Sequence, residues 1–122
     1  MSTSNNSVLA RLSLEGLSIG DAFGQQFFYP GVLETASPDR MPVPPWEYTD
    51  DTEMAIALTQ TLEEYQEINQ DVLAQKFAER FLINPHRGYG AGARELLISI
   101  ARGADWKSES HGMFGGSGSY GN

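Results

Sequence analysis

Apolar residues recur along this chain with a helical period. Met54, Leu58, Thr61/Leu62 and Tyr65 fall at i, i+4, i+7/8 and i+11, one face of an α-helix. A second helix is predicted from about Asn69, with Val72, Leu73, Phe77 and Phe81 turned inward, ending before Asn84-Pro85. A third covers roughly Ala91 to Arg102, with Leu97, Ile98 and Ala101 on one side and Gly103 as its stop. No strand-length alternation competes with these runs, so the expected fold class is all-α.

The remaining segments are less regular. Residues 1–7 read as a frayed tail. From Val8 to about Phe28 the residues Val8, Leu12, Ile19 and Phe23 outline a helical face interleaved with the small residues Gly16, Gly20, Ala22 and Gly24. Glycine lowers helix stability, so either another segment comes close there or the helix breaks near Gly20-Asp21. Residues 29–47 hold all but one of the 6 prolines and predict a long Pro-rich loop of the kind that is often functional. Residues 113–122, MFGGSGSYGN, are glycine-rich. A plain linker has no need of Phe114 and Tyr120, whereas aromatics among glycines suit a loop around a flat ligand.

Composition narrows the partners. At 122 residues the chain is at most one domain, with 40% hydrophobic and 20% charged residues. A formal net charge of −8 with scattered Lys and Arg argues against a nucleic-acid partner, which needs a basic stripe. The absence of cysteine excludes disulfides, thiolate nucleophiles and Cys-based metal sites. No basic residue precedes Arg11, and the longest apolar run, LLISIA at 96–101, is too short for a membrane span. A cytoplasmic protein with no membrane partner is expected.

The chemistry concentrates in YTDDTEM at 48–54. One account is a helix cap, with Asp50 at the N-cap, Glu53 closing a capping box and Asp51 favouring the positive helix end. The other is a cation site. Two carboxylates about 5 Å apart at an effective dielectric of about 20 repel by about 3 kcal/mol, which calls for compensation. Carboxylates with a threonine hydroxyl suit Mg²⁺ or Mn²⁺, not zinc. GDAFG at 20–24 is similarly open: Asp21 either caps a turn or is an acid held where backbone can approach a ligand. NPHRGYGAGAREL at 84–96 reads as a helix stop, a glycine loop and a helix start able to face an anion. His86 and His111 have no partner at metal-ligand spacing and are expected at the surface. GSGSYGN at 116–122 could form an anion nest, although it matches neither phosphate-binding fingerprint. With an acidic cation site and two aromatics, it points to a nucleotide-like diphosphate.

Taken in order, GDAFG, YTDDTEMAIAL, RGYGAG and GSGSYGN resemble the ADP-ribosylglycohydrolase family from about Leu12 to Asn122. The wording of YTDDT, RGYGAG and GSYGN is most similar to the branch acting on serine-linked ADP-ribose and poly(ADP-ribose). The resemblance implies an all-α fold around a two-metal Mg²⁺ or Mn²⁺ centre, with Thr49, Asp50 and Asp51 as ligands. It implies that Gly118, Ser119, Tyr120, Gly121 and Asn122 hold the diphosphate of ADP-ribose. It also places Phe114 and Tyr120 against adenine, and Gly88, Tyr89 and Gly90 along the same cleft. The implied reaction is metal-assisted hydrolysis at the anomeric carbon of the distal ribose in an ADP-ribosylated protein or ADP-ribose chain, with Asp50 and Asp51 at its centre.

Two departures shape the expectations. Where this branch usually carries a glutamate after the GDAxG motif, this chain has Phe28, and Glu34 is the substitute available nearby. Family members are also more than twice as long, with further metal ligands near the far C-terminus. The chain is therefore expected to be an N-terminal portion of one domain that associates with itself or with a complementary C-terminal chain. Beside the hydrolase stand two other classes: an inactive ADP-ribose-binding module, and a structural protein like the J-type crystallins, which are similar to this family.

Overall fold

The structure, a computed structural model, describes residues 3–113. Among the described residues six α-helices follow one another: α1 (Thr3–Gln25), α2 (Val32–Thr35), α3 (Asp50–Tyr65), α4 (Gln70–Ile83), α5 (Ala91–Ala101) and α6 (Trp106–Gly112). A 3-10 turn at Gln26–Phe28 ends the α1 segment. Among the described residues no strand forms, only an isolated antiparallel bridge between Ser37 and Arg40. The all-α expectation holds. No helix is long and apolar enough to cross a membrane, among the described residues. The chain divides into two compact units, Met1–Thr52 and Glu53–Asn122.

In the first unit α1 corrects two expectations. It begins at Thr3, within the stretch read as a frayed tail, and it runs unbroken through Gly16, Gly20 and Gly24. Nor does a close approach explain these glycines, because a Cβ on any of them would meet open space. The helix thus carries about 1 kcal/mol of propensity cost at each glycine. Its inward face also differs. Val8, Leu12 and Ile19 are exposed, whereas Leu14, Ser18, Asp21, Ala22 and Gln25 are half-buried or buried. These positions keep the helical period of i, i+4, i+7/8 and i+11. Apart from Leu14 the inward residues are small or polar, so hydrophobicity alone selects the wrong stripe.

Phe23 is half-buried, as expected, and anchors an aromatic cluster. Its ring lies 5.0 Å from Phe27 in a T-shaped arrangement and 5.1 Å from Trp46. Trp46 Nε1 donates to the Pro42 carbonyl at 3.1 Å, which folds the Pro-rich loop back on itself. The loop is mostly irregular, as expected, apart from the single turn of α2, entered through Gly31 at φ +81°.

In the second unit α4 and α5 carry the core. Ala74, Ala78 and Ile100 form one cluster with Leu96 and Trp106 against it; Phe81, Tyr89 and Leu97 form another with Phe77, Ala93 and Ile98. Alanines at 74 and 78 sit one turn apart and leave room for the larger α5 side chains. Two of the expected inward positions do not hold: Leu62 and Tyr65 are exposed, and Ala57 and Thr61 are the fully buried residues of α3. Ala101 is likewise exposed, with Ile100 buried in its place.

The helix ends follow sequence signals closely. Asn69 caps α4 by accepting from the Val72 amide at 3.2 Å. At the end of α5, Gly103 has φ +95°; its amide donates to Ile100 O, and the Ala104 amide donates to Ser99 O, both at 3.0 Å. This is a Schellman ending, and it needs glycine at the left-handed position. Helix α6 lies beyond the predicted elements. Asp105 caps it by accepting from the Ser108 amide at 3.2 Å, and Trp106 Nε1 donates to Asp71 of α4 at 2.6 Å.

A buried ion pair joins α3 to α4. Arg80 Nε donates to Glu53 Oε2 at 2.6 Å, and Glu53 is 2% exposed. Such a charge is tolerated inside a protein only when it is paired.

Candidate functional site

The start of α3 is built on a carboxylate from α1. Asp21 lies four residues before the end of that helix and receives four hydrogen bonds from Thr49 and Thr52. The Thr49 hydroxyl donates to Oδ1 at 2.6 Å, and the Thr49 amide donates to Oδ2 at 2.8 Å. Oδ2 also accepts from the Thr52 hydroxyl at 2.7 Å and the Thr52 amide at 3.3 Å. Partial burial pushes the Asp21 pKa upward, but the hydrogen bonds from Thr49 and Thr52 outweigh it and hold the carboxyl below the ordinary aspartate value.

Asp21 therefore satisfies amide groups at the helix start that have no intrahelical partner. It does so across 28 positions of sequence, rather than as a local cap. The capping box read from TDDTE is not what forms. Asp50 is the first residue of α3 and Thr49 stands just outside it; the Thr49 oxygen accepts from the Asp51 amide at 3.3 Å. Glu53, assigned to that box, holds Arg80 instead.

The geometry of Thr49 has a chemical consequence. An ionised aspartate only accepts, so the hydroxyl hydrogen of Thr49 must point at Oδ1. One lone pair of the oxygen then faces the Asp51 amide, and the other remains. Asp50 is half-buried and Asp51 is exposed on the same helix start. Thr49, Asp50 and Asp51 are thus three consecutive oxygen-bearing residues at this helix start. Among the described residues, no group of three or more His, Asp or Glu side chains gathers as a metal site.

The other sequence-selected residues fall elsewhere. Glu34 is exposed in the four-residue helix α2, and Phe28, at the end of the 3-10 turn, is 83% exposed. Gly88 adopts φ +86°, a conformation that side-chain-bearing residues rarely take. Gly90 stands at the N-cap of α5 in an extended conformation, and a Cβ there would meet open space. Tyr89, expected along the cleft, is mostly buried. It is 7% exposed, and its ring packs edge-on against Phe81 at 5.0 Å, within the α4–α5 core. Arg94 steadies the same loop: Nη1 donates to the Pro85 carbonyl at 2.9 Å, and its guanidinium lies 5.3 Å from the Phe81 ring centre. His86 and His111 are exposed. Phe114, Gly118, Ser119, Tyr120, Gly121 and Asn122 lie outside the described residues.

An apolar groove of about 280 Å³ in the second unit is lined by Leu73, Phe77, Leu96, Leu97, Ile100 and Trp106, among others. Its walls offer almost no polar partners for a phosphate.

The family model for ADP-ribosylglycohydrolases matches residues 5–122. The chain belongs to the ADP-ribosylglycohydrolase family. Among curated relatives, it is 40% identical over 79 residues to ADP-ribosylhydrolase ARH3 of Homo sapiens, a match covering 62% of this chain and 21% of that protein. The protein of the same name from Mus musculus is 39% identical over 79 residues, and that from Danio rerio 33% over 78, each covering 62% of this chain and 21% of the relative. The chain spans about a fifth of the length of the curated relatives it matches. No solved structure matches it.

Membership accounts for the pattern better than any single motif. What sequence reasoning missed is the role of Asp21. The aspartate was visible in GDAFG, and threonines three apart at 49 and 52 were visible in YTDDT. Nothing local, however, says that one carboxylate will collect both hydroxyls.

Proposed function

We propose that this chain carries the TDD portion of an ADP-ribosyl hydrolase site, in which Thr49, Asp50 and Asp51 hold Mg²⁺ or Mn²⁺. Family membership and the name shared by its relatives, ADP-ribosylhydrolase, support the activity. The observation that carries the reading is the Thr49 hydroxyl, whose hydrogen is committed to Asp21 at 2.6 Å. A threonine oxygen ligates a cation through a lone pair, so its hydrogen has to be taken up behind it.

The donor set fits a hard cation. All three side chains offer oxygen, two of them as carboxylates, and none offers sulfur or imidazole. Three donors do not fill an octahedral shell, which leaves positions for water and substrate. The helix start offsets part of the repulsion between Asp50 and Asp51, because its aligned peptide dipoles place partial positive charge there. When bound, the metal would supply Lewis acidity and a water of lowered pKa. The protein's own part is to keep Thr49, Asp50 and Asp51 at fixed positions through Asp21, so that the ribose hydroxyls and the attacking water meet them in one orientation. In this reading Gly118–Asn122 bind the diphosphate and Phe114 and Tyr120 the adenine, with Gly88, Tyr89 and Gly90 as further ligand-binding residues.

A second reading, an ADP-ribose-binding module without turnover, is favoured by Phe28. Its exposed phenyl ring can neither accept a proton nor position a water, at the place where a carboxylate is expected. Glu34 is the nearby acid available to supply that function. Release of ADP-ribose from a serine-ADP-ribosylated peptide in the presence of Mg²⁺ decides between the two. Turnover by the chain that disappears in Asp51→Asn supports the hydrolase. Magnesium-dependent binding without turnover supports the module.

A further inference from the structure

We infer that Asp21 is a positioning residue, which fixes the Thr49 hydroxyl as a donor to Oδ1 and thereby turns its remaining lone pair toward the cation; this rests on the metal reading above. The two carboxylate oxygens divide the work. Oδ2 takes the Thr49 amide at 2.8 Å, the Thr52 hydroxyl at 2.7 Å and the Thr52 amide at 3.3 Å. Oδ1 takes the Thr49 hydroxyl alone among these contacts, at 2.6 Å. The first set holds the helix start. The second sets the direction of one hydrogen.

This division makes the role separable from plain capping. In Asp21→Asn the carbonyl oxygen must stay at the Oδ2 position, because three donors converge there. The amide nitrogen then takes the Oδ1 position and faces the Thr49 oxygen as a donor. Thr49 must accept it, so the hydroxyl hydrogen swings away and occupies the direction in which the lone pair had pointed. In Thr52→Val one donor to Oδ2 is lost, while the Thr49–Oδ1 bond is untouched. Both variants weaken the α1–α3 link, but only the first reverses Thr49. Groups that orient a metal ligand change metal affinity by about 10–100-fold when altered.

The test is Mn²⁺ binding to the 122-residue chain, followed by electron paramagnetic resonance of the free ion, with thermal unfolding recorded for every variant. The inference predicts that D21N weakens Mn²⁺ binding at least about tenfold. It predicts that T52V stays within about threefold of the parent affinity despite lower thermal stability, since the hydroxyl direction is preserved. It also predicts that D21N/T49V binds no more weakly than T49V alone, because Asp21 acts through Thr49. Parent-like affinity in D21N, an equal loss in T52V, or additive losses in the double variant would overturn it and leave the metal reading standing. No saturable Mn²⁺ binding by the parent chain would overturn both. If D21N does not fold, Asp21→Glu, which displaces the oxygens by one methylene, replaces it in the same cycle with the same expected loss.

Discussion

The Thr49 hydroxyl donates to Asp21 Oδ1 at 2.6 Å, joining the start of α3 to the interior of α1 across 28 positions. That bond ties Thr49, which directly precedes the paired aspartates of YTDDTEM, to the first helix.

Thr52 is 2% exposed, and its hydroxyl donates to the same carboxylate. Thr52→Val keeps the shape but removes a donor to a charged acceptor, so a loss of about 2 kcal/mol is expected. Urea unfolding followed by circular dichroism measures it. Stability equal to the parent would mean that the Asp21–Thr52 bond contributes nothing net.

Replacing Arg80 by Met retains much of the side-chain volume and takes the guanidinium away from the buried Glu53 carboxylate. A loss of about 3 kcal/mol is expected. The double variant Arg80→Met/Glu53→Gln is predicted to recover part of it, because the buried charge goes too. An additive double-mutant cycle in urea would contradict this coupling.

Gly103→Ala places a Cβ at φ +95° in the Schellman ending of α5. The expected cost is about 1 kcal/mol or somewhat more. Gly20→Ala, by contrast, meets open space inside a helix and is predicted to stabilise by up to about 1 kcal/mol. Opposite shifts in melting temperature for two Gly→Ala changes in one chain would check both statements together.

The cap of α6 carries a pH dependence. The Ser108 side-chain hydrogen bond, followed by the Ser108 amide, holds Asp105 below its ordinary pKa. A depressed carboxyl stabilises above its unfolded value, and the contribution is lost as pH falls through the lower folded value. The Ser108 amide resonance is therefore expected to stay constant above the ordinary aspartate range and to move only below it. A midpoint above that range would contradict the assignment.

How far the sequence was legible depended on the range of the forces involved. Helices α4 and α5 were readable because Phe77, Phe81 and Leu97 combine helical spacing with burial, and Asn69 and Gly103 mark their ends by local chemistry. Helix α1 was harder: its inward face is Leu14, Ser18, Asp21 and Ala22, while its apolar residues Val8, Leu12 and Ile19 face outward. Tyr89 sits in a glycine motif that resembles a ligand loop, yet its ring packs on Phe81. An aromatic ring suits a core or a ligand loop equally, so its packing partner is not readable from the motif. Asp50 and Asp51 were recognisable as a pair, whereas the carboxylate that holds the threonines beside them, Asp21, comes from another helix. Long-range hydrogen bonds leave no periodic trace.

The central claim is that Thr49, Asp50 and Asp51 form a cation-dependent ADP-ribose site. A calorimetric titration of ADP-ribose into this chain, with and without Mg²⁺, tests it most directly. The account predicts saturable binding that Mg²⁺ strengthens and that Asp50→Asn abolishes. Binding of equal strength in both conditions, or none in either, would contradict it.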